Sequence, residues 1–228
     1  KLDRNKSTLN AKENVKIENT LENYLITGND FTYFKKYEKI ISKGETKAFI
    51  QSKHEITSSD VIYLVNEDNL SSKNKTKIKD KNSQVYFLEK FNYQINQEIL
   101  KGENILMITN HNLPKSDKIY FESAMINLKD QKFIAKNTEM DIHKEIFDNS
   151  DNDPRLKGVS SISDGSITEV NKGIFTSCKK NDNCPPWSIK AKKIVHDKKQ
   201  KKLTYNNAVL KVYNLPVMYF PKFFHPDP

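Results

Sequence analysis

Leu100-Lys-Gly-Glu-Asn-Ile105 decides how this chain is read, because four other segments can be laid over it. They are Ile41-Ser-Lys-Gly-Glu-Thr46, Leu70-Ser-Ser-Lys-Asn-Lys75, Ile134-Ala-Lys-Asn-Thr-Glu139 and Leu203-Thr-Tyr-Asn-Asn-Ala208. Seven positions before their first residues stand Phe34, Tyr63, Tyr93, Asn127 and His196, three of them aromatic. Asn66, Asn96, Asp130 and Asp197 recur between the two columns as turn formers. Each unit therefore reads as strand, tight polar turn, strand. The separations are 29, 30, 34 and 69 residues, and the last leaves room for a long insertion. A hairpin of this size cannot shelter its own apolar face, so the units must stack. Amphipathic segments of helical period are missing. The expectation is an all-β chain, either a solenoid-like stack of β-hairpins with an open groove or a jelly roll of two facing sheets.

Outward from the repeat the chain changes character. Residues 1–30 open Lys/Asn/Glu-rich and read as a lead-in, with a first edge strand around Val15 to Ile26. Residues 31–215 hold the repeats. Within them 148–172 is rich in Asp, Ser and Gly and breaks the period, so a long loop is expected there. Residues 216–228 carry Pro216, Pro221, Pro226 and Pro228 and read as a linker that stops the sheet. The chain lacks an initiator Met and ends abruptly after an apolar run, as a domain cut from something longer would.

Composition narrows the chemistry. Hydrophobic residues are 36% and charged residues 29% of 228, polar for a compact globule and consistent with an extended, high-surface fold. Six glycines and no GxGxxG or P-loop pattern argue against a phosphate-cradling loop. The net charge of +9 points to an anionic partner. Lys190, Lys192 and Lys193 belong to a lysine-rich segment whose single acid is Asp197, which makes them candidates for headgroup or anion contacts. Nucleic acid is the weaker choice, because base readers lean on Arg and only Arg4 and Arg155 are present.

No two of the five histidines lie within four residues, and no GxSxG elbow is present, so enzyme is the weak hypothesis and no cofactor or metal is expected. His196-Asp197 falls at a turn of the repeat, and His225 sits where its ring packs between Phe224 and Pro226. Cys178 and Cys184 admit three readings: a local disulfide, pairing with cysteines outside this sequence, or two free thiols.

Continuous apolar runs such as Val61-Ile-Tyr-Leu-Val65, Ile105-Leu-Met-Ile108 and Val217-Met-Tyr-Phe220 imply strands apolar on both faces. One face would meet the protein core or a barrel, and the other would hold acyl chains. The columns Ile41, Leu70, Leu100, Ile134, Leu203 and Val61, Phe91, Met125, Ile194 are therefore expected to line a lipid groove or a packed core, and the residues alone leave both open.

The last third carries a resemblance. Asn152-Asp-Pro-Arg-Leu-Lys-Gly158, Asn171-Lys-Gly173, Thr176-Ser-Cys178, Pro186-Trp-Ser-Ile-Lys-Ala191, Asn207-Ala208, Leu215-Pro-Val217, Tyr219-Phe-Pro221 and His225-Pro-Asp-Pro228 follow one another in order. Together they resemble the LPS-assembly outer-membrane protein (LptD, organic solvent tolerance protein) family. The resemblance implies the periplasmic β-jelly-roll domain of such a protein, at the periplasmic face of the outer membrane. It implies an oxidising compartment in which the cysteines pair with others in the missing barrel. Implied partners are lipopolysaccharide, a periplasmic bridge protein of the same jelly-roll type joined by β-augmentation, the chain's own C-terminal β-barrel and its plug lipoprotein. The alternative is a periplasmic β-scaffold that binds only protein.

Overall fold

The computed structural model describes residues 2–3, 7–20, 23–113, 116–142, 153–180 and 185–226. Among them the chain is all-β, with no α-helix and only two single-turn 3-10 segments, Lys35–Tyr37 and Val65–Glu67. It divides into two compact units, Lys1–Met107 and Ile108–Pro228.

Unit 1 contains β1 (Leu2–Asp3), β2 (Thr8–Asn19), β3 (Tyr24–Phe34), β4 (Lys39–Ile50), β5 (His54–Ser59), β6 (Ile62–Leu64), β7 (Asn69–Ser72), β8 (Thr76–Asp80), β9 (Val85–Leu88), β10 (Lys90–Gln94) and β11 (Ile99–Ile108), whose last residue crosses the boundary. All pairings are antiparallel. The first half of β4 pairs with β6 and its second half with β5. From there β6 pairs with β7 and β7 with β10, while β5 pairs with β8 and β8 with β9. Each long strand is thus folded at its middle, and the chain builds two half-ladders side by side. The halves face each other across the core. Tyr63 of one meets Tyr24 of the other edge-on at 5.4 Å, and the Tyr63 hydroxyl donates to the Tyr24 hydroxyl at 2.7 Å.

Unit 2 is a meander of β12 (Lys118–Asn127), β13 (Lys132–Asp141), β14 (Arg155–Ser163), β15 (Ile167–Thr176), β16 (Trp187–Asp197), β17 (Lys202–Val212) and β18 (Leu215–Pro226). Each strand pairs antiparallel with the next. Phe121 against Phe133 at 5.0 Å, and Phe175 against Tyr205 at 6.3 Å, again join opposite halves of bent strands.

The bends share one device. Asn14, Gly44, Asp60, Asn104, Asn137, Lys172 and Asn207 all take left-handed backbone, with φ between 46° and 77°. Ladder pairing skips these positions, as where Phe121↔Thr138 is followed by Ser123↔Lys136. Asn, Asp and Gly pay least for such backbone, so the sequence marks most corners with them. A neighbouring strand holds each of several corners: the Gly44 amide donates to Asp60 Oδ1 at 2.9 Å, and Asn137 Nδ2 donates to Glu122. Asn14, Gly44, Asn74 and Asn104 lie 30 residues apart, and Asn137, Lys172 and Asn207 lie 35 apart.

The inner side of a bend is tight, and small residues fill it. Ser42 and Thr46 pair at 2.7 Å, Ser58 and Thr76 at 2.7 Å, and Thr138 with Ser161 at 2.5 Å, all buried. A Cβ at Gly158 would sit 2.1 Å from Val170 Cγ1 and 3.1 Å from the Asn171 carbonyl oxygen. Gly158→Ala is therefore expected to cost about 1–3 kcal/mol by overpacking. The denaturant midpoint of unit 2, followed by the fluorescence of Trp187, measures it.

Three boundaries need correction. The expected loop 148–172 contains β14 and the start of β15, residues 143–152 lying outside the described set. These strands bury Ser161, Ser163 and Thr168 in hydroxyl pairs, with Thr168 Oγ1 donating to Ser163 Oγ at 3.0 Å, so they lack the apolar alternation of ordinary strands. Thr168 to Lys172 is the missing repeat, and no insertion is needed to span Ile134 to Leu203. Of the expected linker 216–228, the described part to Pro226 belongs to strand β18, paired with β17 from Val212↔Leu215 to Lys202↔Pro226, and 227–228 lie outside the described residues. The lead-in 1–30 holds β2 and most of β3, and the Val15 to Ile26 stretch crosses the turn between them.

Candidate functional site

Among the described residues of unit 1, β2 pairs along its length with β3 and, on its other side, with β1 at Leu2↔Leu9 and Asp3↔Thr8. Beyond Thr8 and Leu9 its described neighbours within the unit lie on the β3 side only, and a cleft of about 550 Å³ opens between its inward side chains and the facing half-ladder. Buried Tyr24, Phe31 and Tyr63 form the floor, and Ala11, Val15, Ile17, Ile40 and Val65 form the walls. Lys16, Glu18 and Glu38 stand at the rim.

The tyrosine hydroxyls of the cleft already have partners. Tyr24 Oη accepts from Tyr63, and Asn19 Nδ2 donates to Tyr24 Oη at 3.3 Å. The Tyr33 hydroxyl donates to Glu38 Oε2 at 2.5 Å, and that bond, with burial second, holds the phenol above its usual range. What remains for a guest is apolar surface. Chemically the site can take hydrocarbon, of a volume in the range of small-molecule sites.

Two strands along the ladder from Tyr24 in the same unit lies a buried ionic cluster that sequence reasoning missed. Glu98 Oε1 accepts from Lys53 Nζ at 2.6 Å, and Glu98 Oε2 lies 3.2 Å from His54 Nε2. The Glu98 and His54 side chains are 6% and 3% exposed. Burial pushes the Glu98 carboxyl up, but the hydrogen bonds from Lys53 and His54 outweigh it and hold it below the usual range. Tyr93 packs edge-on to His54 at 6.0 Å, and burial raises its phenol.

The expected columns separate by face. Val61, Leu70, Phe91 and Leu100 are core residues of unit 1, and Ile194 and Leu203 are core residues of unit 2. Ile41 is half-buried. Ile134 and Met125 are corrections: they are 54% and 41% exposed and pair with each other on the outer face. Counted back from the corner, Leu70, Leu100 and Leu203 stand four residues before Asn74, Asn104 and Asn207, whereas Ile134 stands three before Asn137. A slip of one residue turns a strand's side chain to the other face, and the true members are Phe133 and, beside Met125, Ile126.

Lys190 and Lys192 point outward from β16 and are exposed; Lys193 is bound to Glu169 at 2.7 Å. Cys178 is a free, half-buried thiol that donates to the Trp187 carbonyl at 3.6 Å, and Cys184 lies outside the described residues. Asp197 Oδ1 accepts from the Lys199 and Gln200 amides at 3.0 and 2.9 Å as part of a turn. His225 packs on Phe175, and its Nε2 lies 2.9 Å from the Tyr205 hydroxyl. Among the described residues no three His, Cys, Asp or Glu side chains gather as a metal-binding group.

The cleft residues were hidden in the presumed lead-in. Their signal was the alternation of Leu9 with Ala11 and of Val15 with Ile17, broken by the bulge between Lys12 and Val15. Comparison of the sequence with models of protein families matches no family, and comparison with curated proteins finds no match.

Proposed function

We propose that the chain is the lipid-receiving, non-enzymatic β-jelly-roll domain of an LPS-assembly outer-membrane protein, working in the periplasm. On this reading the unit 1 cleft takes the acyl chains of lipopolysaccharide. The observation that carries it is the cleft itself: a mainly apolar trough of about 550 Å³ whose tyrosine hydroxyls are already paired, with Lys16 beside Glu18 and Glu38 at its rim. Each CH₂ of a chain buried there gains about 0.8 kcal/mol without specific polar contacts. The side of β2 away from β3, paired among the described residues of unit 1 only at Thr8 and Leu9, suits addition of a strand from a bridge protein of the same fold, which would continue the trough from one chain into the next.

A second reading, a scaffold that binds only protein, draws on a different observation. Leu70, Tyr93 and Leu100 are fully buried, so the middle of unit 1 is filled. A photo-crosslinking residue at Ile40 separates the two. The carrier reading expects adducts with lipopolysaccharide at Ile40 and none at Phe87, which faces outward from β9. Adducts only with protein at Ile40 would establish the scaffold instead.

A further inference from the structure

The last hairpin of unit 2 presents what the core does not use. β17 and β18 are joined by Tyr213 and Asn214, both with positive φ (46° and 67°), as a two-residue type I′ turn requires. Asn suits such a position. Tyr does not: a bulky side chain in left-handed backbone is a rare and costly choice. It stands here on a highly exposed part of the strand pair, with Tyr213 64%, Leu215 70% and Val217 54% exposed. From Leu215 to Tyr219 β18 is exposed on both faces and apolar on both.

Charge completes the pattern. From Pro186 to Pro226 the chain carries nine lysines and one acid. Asp197 and Lys198, Lys199, Lys201 and Lys202 lie at the opposite end of β16 from the tip, which leaves Lys190, Lys192 and Lys211 on the tip side with no acid of this segment among them. Trp187 pairs with Val212, so the tip row also holds the single tryptophan of the chain. Lys211 adjoins the tip, and Lys190 lies three residues along β16, about 10 Å from the tip row. An apolar tip with tyrosine and tryptophan beside it, Lys211 at its margin and Lys190 and Lys192 about 10 and 17 Å behind matches the layering of a bilayer interface, with hydrocarbon first and phosphate next.

A protein strand fits less well. Pro216, Pro221 and Pro226 remove backbone donors from β18, which blunts it as an edge for ladder extension. Unpaired backbone also forbids deep insertion into hydrocarbon, so contact must stay interfacial. We propose that the β17–β18 hairpin is a docking surface for an anionic phospholipid bilayer, with Tyr213, Leu215 and Val217 entering the interface and Lys190, Lys192 and Lys211 meeting the phosphates. This surface makes no use of the unit 1 cleft, so either proposal can fail while the other stands.

The test is co-sedimentation of the full chain with vesicles of phosphatidylcholine, with and without phosphatidylglycerol, together with the emission of Trp187. Partition is expected to need the anionic lipid and to weaken with salt. Trp187 emission should shift to the blue and be quenched by brominated acyl chains. The double variant Lys190→Gln, Lys192→Gln should weaken partition by about tenfold or more. Tyr213→Asn is the sharper variant, because it should weaken partition while raising or preserving the unfolding midpoint. Equal binding to neutral vesicles, unchanged binding by both variants, or a dimer in solution that Tyr213→Asn dissolves would each overturn the proposal.

Discussion

Replacing Glu98 with alanine is expected to destabilise unit 1 by about 3 kcal/mol, the largest loss available from one polar side chain. Removing one member of a buried ion pair costs roughly 3–5 kcal/mol because the other charge is stranded. Lys53 is 34% exposed and can swing into water, which places the loss at the low end. His54 cannot escape in this way: it is 3% exposed, and its Nδ1 already has no partner. Glu98→Gln keeps the shape and loses the charge, so its cost should be smaller.

The pH dependence follows from the same contacts. The Glu98 carboxyl titrates below its ordinary value of 4.5 in the folded chain. Its contribution is therefore present above that value and is lost as the pH falls through the lower, folded value. The difference between wild type and Glu98→Gln should be widest near neutral pH and shrink toward acid, where protonated Glu98 resembles Gln. Hydrogen exchange at the amides of β5 measures it within unit 1. A difference that stays constant across the titration would mean that the carboxylate charge contributes nothing.

The second large effect separates two residues that look equivalent in the sequence. Leu203 and Ile134 begin aligned repeat segments, yet Leu203 is 2% exposed and Ile134 is 54% exposed. Leu203→Ala should cost about 2–5 kcal/mol through lost burial and the cavity left behind. Ile134→Ala should stay within about 0.5 kcal/mol, as surface substitutions do. Denaturation of the two variants, followed at Trp187, gives both values in one unit. Equal losses would contradict the assignment of faces.

That pair also shows what the sequence made legible. The all-β class and the stacked, turn-punctuated units could be read from Leu70, Leu100 and Leu203 with their polar followers. The followers turned out to matter more than the leaders. Gly44, Asn104, Asn137, Lys172 and Asn207 take left-handed backbone at the bends, and the corner positions, not the apolar residues, recur every 30 residues from Asn14 to Asn104 and every 35 from Asn137 to Asn207. Aligning on the apolar residue shifted Ile41 and Ile134 by one position. The repeat at Thr168 escaped because hydroxyl pairs replace its apolar signal.

The cleft was the least legible feature. Its walls come from β2, β3, β4 and the start of the Val65–Glu67 turn, which only the folded unit brings together. Nothing in the local pattern of Val15 or Ile17 distinguishes a wall with a neighbour from one without. The Glu98 cluster was hidden for a related reason. Lys53, His54 and Glu98 are 45 residues apart at most, and each reads alone as a solvated turn residue.

Methyl NMR of the full chain titrated with lipopolysaccharide tests most directly whether guest hydrocarbon enters the unit 1 cleft. The methyls of Ile17, Ile40 and Val65 should shift and show contacts to acyl protons, while those of Met125 and Ile134 on the outer face of unit 2 stay in place. Shifts confined to the outer face, or none at the cleft at saturating lipid, would contradict it.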